Sequence, residues 1–232
     1  DRKDLNRCFP GIEKGSFGSR FADFIFTNLT KYGDIFIDLH SGSQGRYNIP
    51  QIRCDLSQKI IRQLVDKLSI PIIVNSSLRD GSFREAINSI DKPCIVFEGG
   101  EGLRIDESIT RYGMNLIKSI LSTQGMIDTK KVFNQDKITI KKTKWIRAKE
   151  GGLLVNRAVK GKVVKKGEIL GELRNISGEL ISKIRIEEDG VVLGQSMASM
   201  IMTGDALYNI GYLKGSLSSE EEDYSDIFDI EL

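Results

Sequence analysis

Residues 15–31 carry Phe17, Phe21, Phe24, Ile25 and Leu29 at the three-to-four spacing of a helix, with Ser16 placed as its cap. The short apolar run 34–40 reads as a buried strand. Residues 55–68 set Leu56, Ile60, Ile61, Leu64 and Leu68 on one helical face, and 71–75 (PIIVN) returns to a strand. A second such cycle follows. Residues 82–90 are helical in pattern, 93–100 (PCIVFEGG) form an apolar strand ending in Glu and two glycines, and 105–123 spell a long amphipathic helix with Asp106 near its start. Alternation of this kind predicts an α/β layer, a largely parallel or mixed sheet flanked by helices.

Beyond about residue 130 the texture changes. A Lys-rich connector, KVFNQDKITIKKTK, leads to Trp145, and the chain then turns rich in Gly and Val, with short strands and no long helix. Two of its segments share one pattern. Val164, Gly167, Glu168, Leu170 and Leu173 are matched in type and spacing by Ile201, Gly204, Asp205, Leu207 and Ile210. Each copy predicts a strand, a Gly turn and a second strand, and two copies predict a small pseudo-symmetric β-rich barrel or sandwich. The expected organisation is therefore an α/β domain over 1–135, a β-rich domain over 145–213, and a mobile acidic tail over 214–232. The repeat is similar to the half-motifs of biotinyl and lipoyl carrier domains. Its corresponding turn, RNISG at 174–178, has no lysine to modify, which argues against a carrier role.

Composition adds little until charge is divided along the chain. The 232 residues have a net charge of +2, with 40% hydrophobic and 28% charged positions, as in ordinary globular proteins. The last fifteen residues hold seven acids and no base, so the remainder stands at about +9 by the same counting. Such a body attracts anionic small molecules. No aromatic-rich basic motif points to nucleic acid, and no run of 18 apolar residues points to a membrane span. Cys8, Cys54 and Cys94 are scattered, without a CxxC pair, which fits buried thiols in a reducing, cytoplasmic setting. The sequence leaves room for a homo-oligomer.

His40 is the sole histidine. In a strand it shares a face with Asp38, and it sits at the carboxyl end, where open α/β sheets bind ligands. It reads either as a metal ligand with Asp38 behind it or as a hydrogen-bonded structural histidine. Glu98, ending another apolar strand before Gly99 and Gly100, reads as a general base or as a strand-end acid. Asn6 and Arg7 precede the turn CFPG, and Arg84 lies upstream of the Glu98 strand. Each arginine offers a planar fork for a carboxylate.

The order DLNRCFPG (4–11), DLHSG (38–42) and VFEGG (96–100) resembles the succinylglutamate desuccinylase and aspartoacylase family, zinc-carboxypeptidase-like hydrolases. The likeness extends through WIRAKEGGLL (145–154) and DGVVLG (189–194) to about residue 213. It implies a zinc-dependent deacylase acting on an acylated small molecule, with Zn2+ as cofactor. Within it His40 is implied as a zinc ligand, Glu98 as the catalytic acid–base, and Asn6, Arg7 and Arg84 as substrate-binding residues. The family's other two ligands come from a His-x-x-Glu motif ahead of the Asn-Arg pair. They are expected upstream of Asp1, in a natural beginning that this sequence lacks. The alternative is a metal-free relative that binds acylated small molecules without catalysis.

Overall fold

The computed structural model describes residues 2–213 apart from 44, 69, 129–136 and 159. The expected acidic tail and much of the Lys-rich connector lie outside the described residues. The chain runs through α1 (Phe17–Thr30), β1 (Phe36–Gly42), β2 (Arg46–Cys54), α2 (Lys59–Val65), β3 (Ile72–Asn75), α3 (Phe83–Asn88), β4 (Cys94–Glu101) and α4 (Glu107–Thr123). The strands β5 (Ile138–Ile140), β6 (Thr143–Arg147), β7 (Gly152–Asn156), β8 (Val163–Val164) and β9 (Ile169–Arg174) follow. The last are β10 (Leu180–Arg185), β11 (Gly190–Ser196), β12 (Met200–Ile201) and β13 (Ala206–Tyr212). None of the helices among the described residues is long and apolar enough to cross a membrane.

A nine-stranded mixed sheet carries the order β1-β4-β2-β11-β13-β6, with β3 and β5 continuing from β2, and β8 pairing with β11. The β1–β4, β2–β3 and β3–β5 pairs are parallel, whereas β2 runs antiparallel to β4 and β11. The expected mixed sheet flanked by helices is thus present. β1 lies at its rim, so the run read as a buried strand is only partly covered along its length. The helix expected over 55–68 is confined to Lys59–Val65, because Asp55 turns the chain first by accepting the Ser57 N–H at 2.9 Å.

β2 escapes the hydrophobic pattern. Its run RYNIPQIRC contains Pro50, which lacks a backbone donor and argues against a central strand. The structure accommodates it at a bulge. Asn48 faces Gly100 and Gln51 faces Glu98, so three steps along β2 answer two along β4. The second edge of β2 is also divided there: Arg46–Asn48 pair with β11 and Ile52–Cys54 with β3, leaving Pro50 between the two partners.

The strands of 145–213 are split between the large sheet and a second, four-stranded sheet of order β10-β9-β7-β12. The repeat explains the division. Its first copy steps from β8 in the large sheet to β9 in the small one, and its second steps from β12 in the small sheet to β13 in the large one. Both turns are built alike. Gly167 and Gly204 take φ of +87° and +90°, a region where a side chain is strained. Glu168 accepts the Lys165 N–H at 3.1 Å, and Asp205 accepts the matching Met202 N–H at 2.8 Å. The three apolar repeat positions of each copy, Val164, Leu170 and Leu173 with Ile201, Leu207 and Ile210, meet in one buried core between the sheets.

α1 forms as expected, but the rings of Phe17, Phe21 and Phe24 do not turn inward. Gly18 and Ala22 make the buried contact, while Phe17 and Phe24 remain 70% and 62% exposed. The turn before this helix lies close because Gly11, at φ +95°, has no side chain: a Cβ there would lie 2.2 Å from the Asp23 N and 2.4 Å from the Ser19 carbonyl oxygen.

Candidate functional site

Five separate segments converge at the carboxyl end of β1. Parallel pairing sets His40 of β1 directly beside Glu98 of β4, and Asp38 beside Val96. Side chains of paired residues point to one face, so Asp38, His40, Val96 and Glu98 share a surface. The Leu5–Arg7 turn lies over it, and the loop 76–79 with the first turn of α3 closes the side. Together they enclose a cavity of about 380 Å³ that includes Asn6, Arg7, Asp38, His40, Arg84 and Glu98. All six candidate and partner residues singled out in the sequence are thus in one place.

The Asn6–Arg7 segment is held from both ends. Asp4 caps it by accepting the Asn6 N–H at 2.9 Å. Beyond it, Phe9 donates its N–H to the Gly81 carbonyl at 2.9 Å, and its ring meets Phe83 edge-on at 5.1 Å. Gly81 has φ +71°, and a Cβ there would lie 2.7 Å from the Arg7 carbonyl oxygen. The loop and the turn can approach this closely only because residue 81 has no side chain.

Asn6 Oδ1 accepts the Phe83 N–H at 2.7 Å, which turns its NH2 toward His40 Nε2 at 3.3 Å. That nitrogen also lies 2.9 Å from Asp38 Oδ2. Two donors cannot point at each other, so the shorter, charged contact decides: Nε2 carries the proton and donates a hydrogen bond to Asp38 Oδ2. This hydrogen bond is the main cause that raises the His40 pKa above its ordinary value; burial opposes it, and the charges of Asp38, Glu98 and Asp4 add to it.

Arg84 is buried within the wall. It donates to Ser76 Oγ at 3.0 Å and to the Ser77 carbonyl at 2.7 Å, which fixes the loop 76–79 and leaves further N–H groups for a ligand. Burial lowers its pKa from a very high starting value, so it stays cationic. Arg7 is exposed at the rim and lies 3.8 Å from Asp4.

The structure adds residues that the sequence did not single out. Arg53 and Arg79 line the cavity, which makes four arginines against the carboxylates Asp38 and Glu98. Glu98 accepts a hydrogen bond from Asn48 Nδ2 at 2.9 Å on Oε2, while Arg53 Nε stands 3.9 Å from Oε1. The signal for Asn48 and Arg53 was the near-alternation of Tyr47, Ile49, Ile52 and Cys54 with polar neighbours, which Pro50 interrupts; Arg79, in a loop, had none.

His40 meets one requirement of a zinc site. A carboxylate holds one ring nitrogen and orients the imidazole, while Nδ1 has no hydrogen-bond partner among the described residues. The donor set is nevertheless incomplete, since no group of three His, Cys, Asp or Glu side chains among the described residues is placed to hold a metal ion. Cys54 and Cys94 are no substitute, because burial raises both thiols, Cys54 to about 12.

The catalytic-domain model of the succinylglutamate desuccinylase/aspartoacylase family matches residues 1–124. The N-alpha-acetyl-L-2,4-diaminobutyric acid deacetylase of Halomonas elongata is 25% identical, over 94% of this chain and 67% of its own length. Among solved structures, the apo ectoine utilization protein EutE (DoeB) of Ruegeria pomeroyi superimposes with a TM-score of 0.80 at 19% identity, over 90% of this chain and 70% of that one. An aspartoacylase family protein of Mesorhizobium loti gives 0.72 at 24% identity, over 94% and 68%. The chain thus spans about two thirds of the length of these relatives, and the structural matches share its fold.

Proposed function

The chain belongs to the succinylglutamate desuccinylase/aspartoacylase family, and from that premise we propose that it serves a zinc-dependent deacylase cleaving the amide of an N-acyl amino acid or a similar small anionic substrate. The observation that carries this reading is the pairing of His40 with Glu98 on adjacent parallel strands, in a cavity walled by arginines. A small soluble substrate fits a cytoplasmic enzyme, as a monomer or homo-oligomer, with no nucleic-acid or membrane partner.

His40 is the residue of this chain that would hold zinc, through Nδ1, with Asp38 fixing the ring. The two further ligands belong to residues other than those described, in keeping with a His-x-x-Glu pair ahead of the Asn-Arg turn. A bound zinc supplies polarisation of the acyl carbonyl and a lowered pKa for water. Glu98 takes the proton of the attacking water and later passes it to the leaving amine. Arg7, Asn6 and Arg84, with Arg53 and Arg79 beside them, draw in and orient the anionic substrate so that its amide lies against Glu98. The wall of four arginines excludes a cationic substrate group from the same position.

The test uses the complete native protein. Metal analysis is expected to find about one zinc per chain, lost in His40→Ala. Hydrolysis is assayed on N-acyl amino acids, beginning with N-alpha-acetyl-L-2,4-diaminobutyric acid, the compound in the name of the Halomonas relative. Glu98→Gln is expected to keep the zinc and lower turnover roughly 10²–10⁴-fold. Zinc retained in His40→Ala refutes the ligand. Tight substrate binding with neither zinc nor turnover selects the metal-free alternative.

A further inference from the structure

Glu98 needs more than a place on β4. A carboxylate acting as base must present one oxygen to water in a fixed direction, and its side chain has three rotatable bonds. The structure shows what restrains it. Asn48 Nδ2 donates to Oε2 at 2.9 Å, and Arg53 flanks Oε1 at 3.9 Å. Asn48 is 8% exposed and lies outside the cavity lining, behind Glu98.

Two features put Asn48 there. On a regular strand Asn48 and Gln51, three apart, would face opposite sides of the sheet. The bulge at Pro50 inserts one extra residue, so both face the same side as Glu98 and Gly100. The second feature is Gly194 of β11, the partner of Asn48 across the antiparallel pair. A Cβ at Gly194 would lie 2.5 Å from Asn48 Oδ1, so the carboxamide occupies the space that glycine leaves open. Gly194 ends the DGVVLG motif, which belongs to the β-rich part of the chain.

We propose that Asn48 is a positioning residue for Glu98: it fixes Oε2 by a hydrogen bond, directs Oε1 toward the substrate water, and depends on the Pro50 bulge and on Gly194 for its orientation. This rests on the reading of Glu98 as the base, and it links the β-rich part to the chemistry without assigning that part a reacting group.

The experiment has two arms. In the zinc-loaded native protein, with N-alpha-acetyl-L-2,4-diaminobutyric acid as probe, Asn48→Ala and the isosteric Asn48→Asp are expected to lower kcat about 10–100-fold, the scale of a misplaced catalytic group. KM should stay within about twofold, because Asn48 does not line the cavity. In a Glu98→Gln background, the same substitutions should cost nothing further, since they act only through Glu98. The second arm needs neither metal nor substrate. In 15N-labelled protein the Asn48 side-chain NH2 protons should be widely separated and slow to exchange, and Glu98→Ala should abolish both properties. Losses that add in the double variant, a rise in KM without a fall in kcat, or an Asn48 amide insensitive to Glu98→Ala would overturn the proposal while leaving the base assignment intact. Turnover that survives Glu98→Gln overturns the base assignment itself, and this proposal with it.

Discussion

Replacing Gly81 by alanine tests whether the geometry of the Asn6–Arg7 turn depends on one missing side chain. At φ +71° a Cβ is strained whatever surrounds it, at about 1–2 kcal/mol. Here the new methyl would also lie 2.7 Å from the Arg7 carbonyl oxygen and 2.9 Å from its carbon, both backbone atoms held by the Asp4 cap. Relief requires the loop and the turn to separate, which stretches the Phe9 N–H bond to Gly81, worth about 0.5–1.5 kcal/mol. The sum is about 1.5–3.5 kcal/mol, a fall in Tm of roughly 3–14 °C for a chain of this size. Gly167→Ala is the internal control. Its φ is +87° with nothing within 4 Å of the new methyl, so it bears the backbone strain alone. Thermal unfolding is read together with amide hydrogen exchange at Phe9 and Phe83, the two N–H groups bonded to Gly81 and Asn6. Faster exchange at both is expected in Gly81→Ala and at neither in Gly167→Ala. Equal Tm losses with unchanged exchange at Phe9 and Phe83 would refute the argument.

Three other outcomes follow from packing and burial. Because burial holds the Cys54 thiol near a pKa of about 12 and raises Cys94 as well, iodoacetamide at pH 8 should alkylate Cys8 alone in folded protein, as mass spectrometry will show. The same two thiols ionise sooner in the unfolded chain, near the ordinary cysteine value of 9.0, so their contribution is constant below that pH, and stability falls as pH rises above it. Cutting the chain after residue 142 should remove the partner of β2 along Arg46–Asn48 and expose a sheet edge, so the shortened protein is expected to lose its cooperative unfolding transition; a sharp transition in that fragment would show that the α/β layer stands without its β-rich partner.

The helices and most strands of the first 123 residues were legible because each places its apolar residues at its own period. What was not legible is non-local. Nothing in the run 34–40 says that β1 lies at the rim of a sheet, and that position decides why its burial is partial. Pro50 concealed β2, since the rule against proline in central strands holds only until a bulge provides a place where no donor is needed. With β2 concealed, Asn48 and Arg53 could not be set beside Glu98. His40, Glu98, Asn6, Arg7 and Arg84 were legible for a different reason: their short motifs resemble a family whose order they share. Their convergence in one cavity is a fact of the fold that no spacing alone supplies.

The exchange of strands between the two sheets at Gly167 and Gly204 also constrains how the chain can reach its native state. Neither copy of the repeat contains both walls of its own core: Leu170 and Leu173 await Leu207 and Ile210, which lie some tens of residues later. A ribosome delivering the chain from its beginning therefore releases the first copy with its apolar side uncovered. Closure waits for β13, the last strand among the described residues; it pairs with β11, the strand that lies against β2 at the supporting edge of the site. Assembly of this chain is expected to be late and abrupt, with a strand near residue 212 acting as its latch.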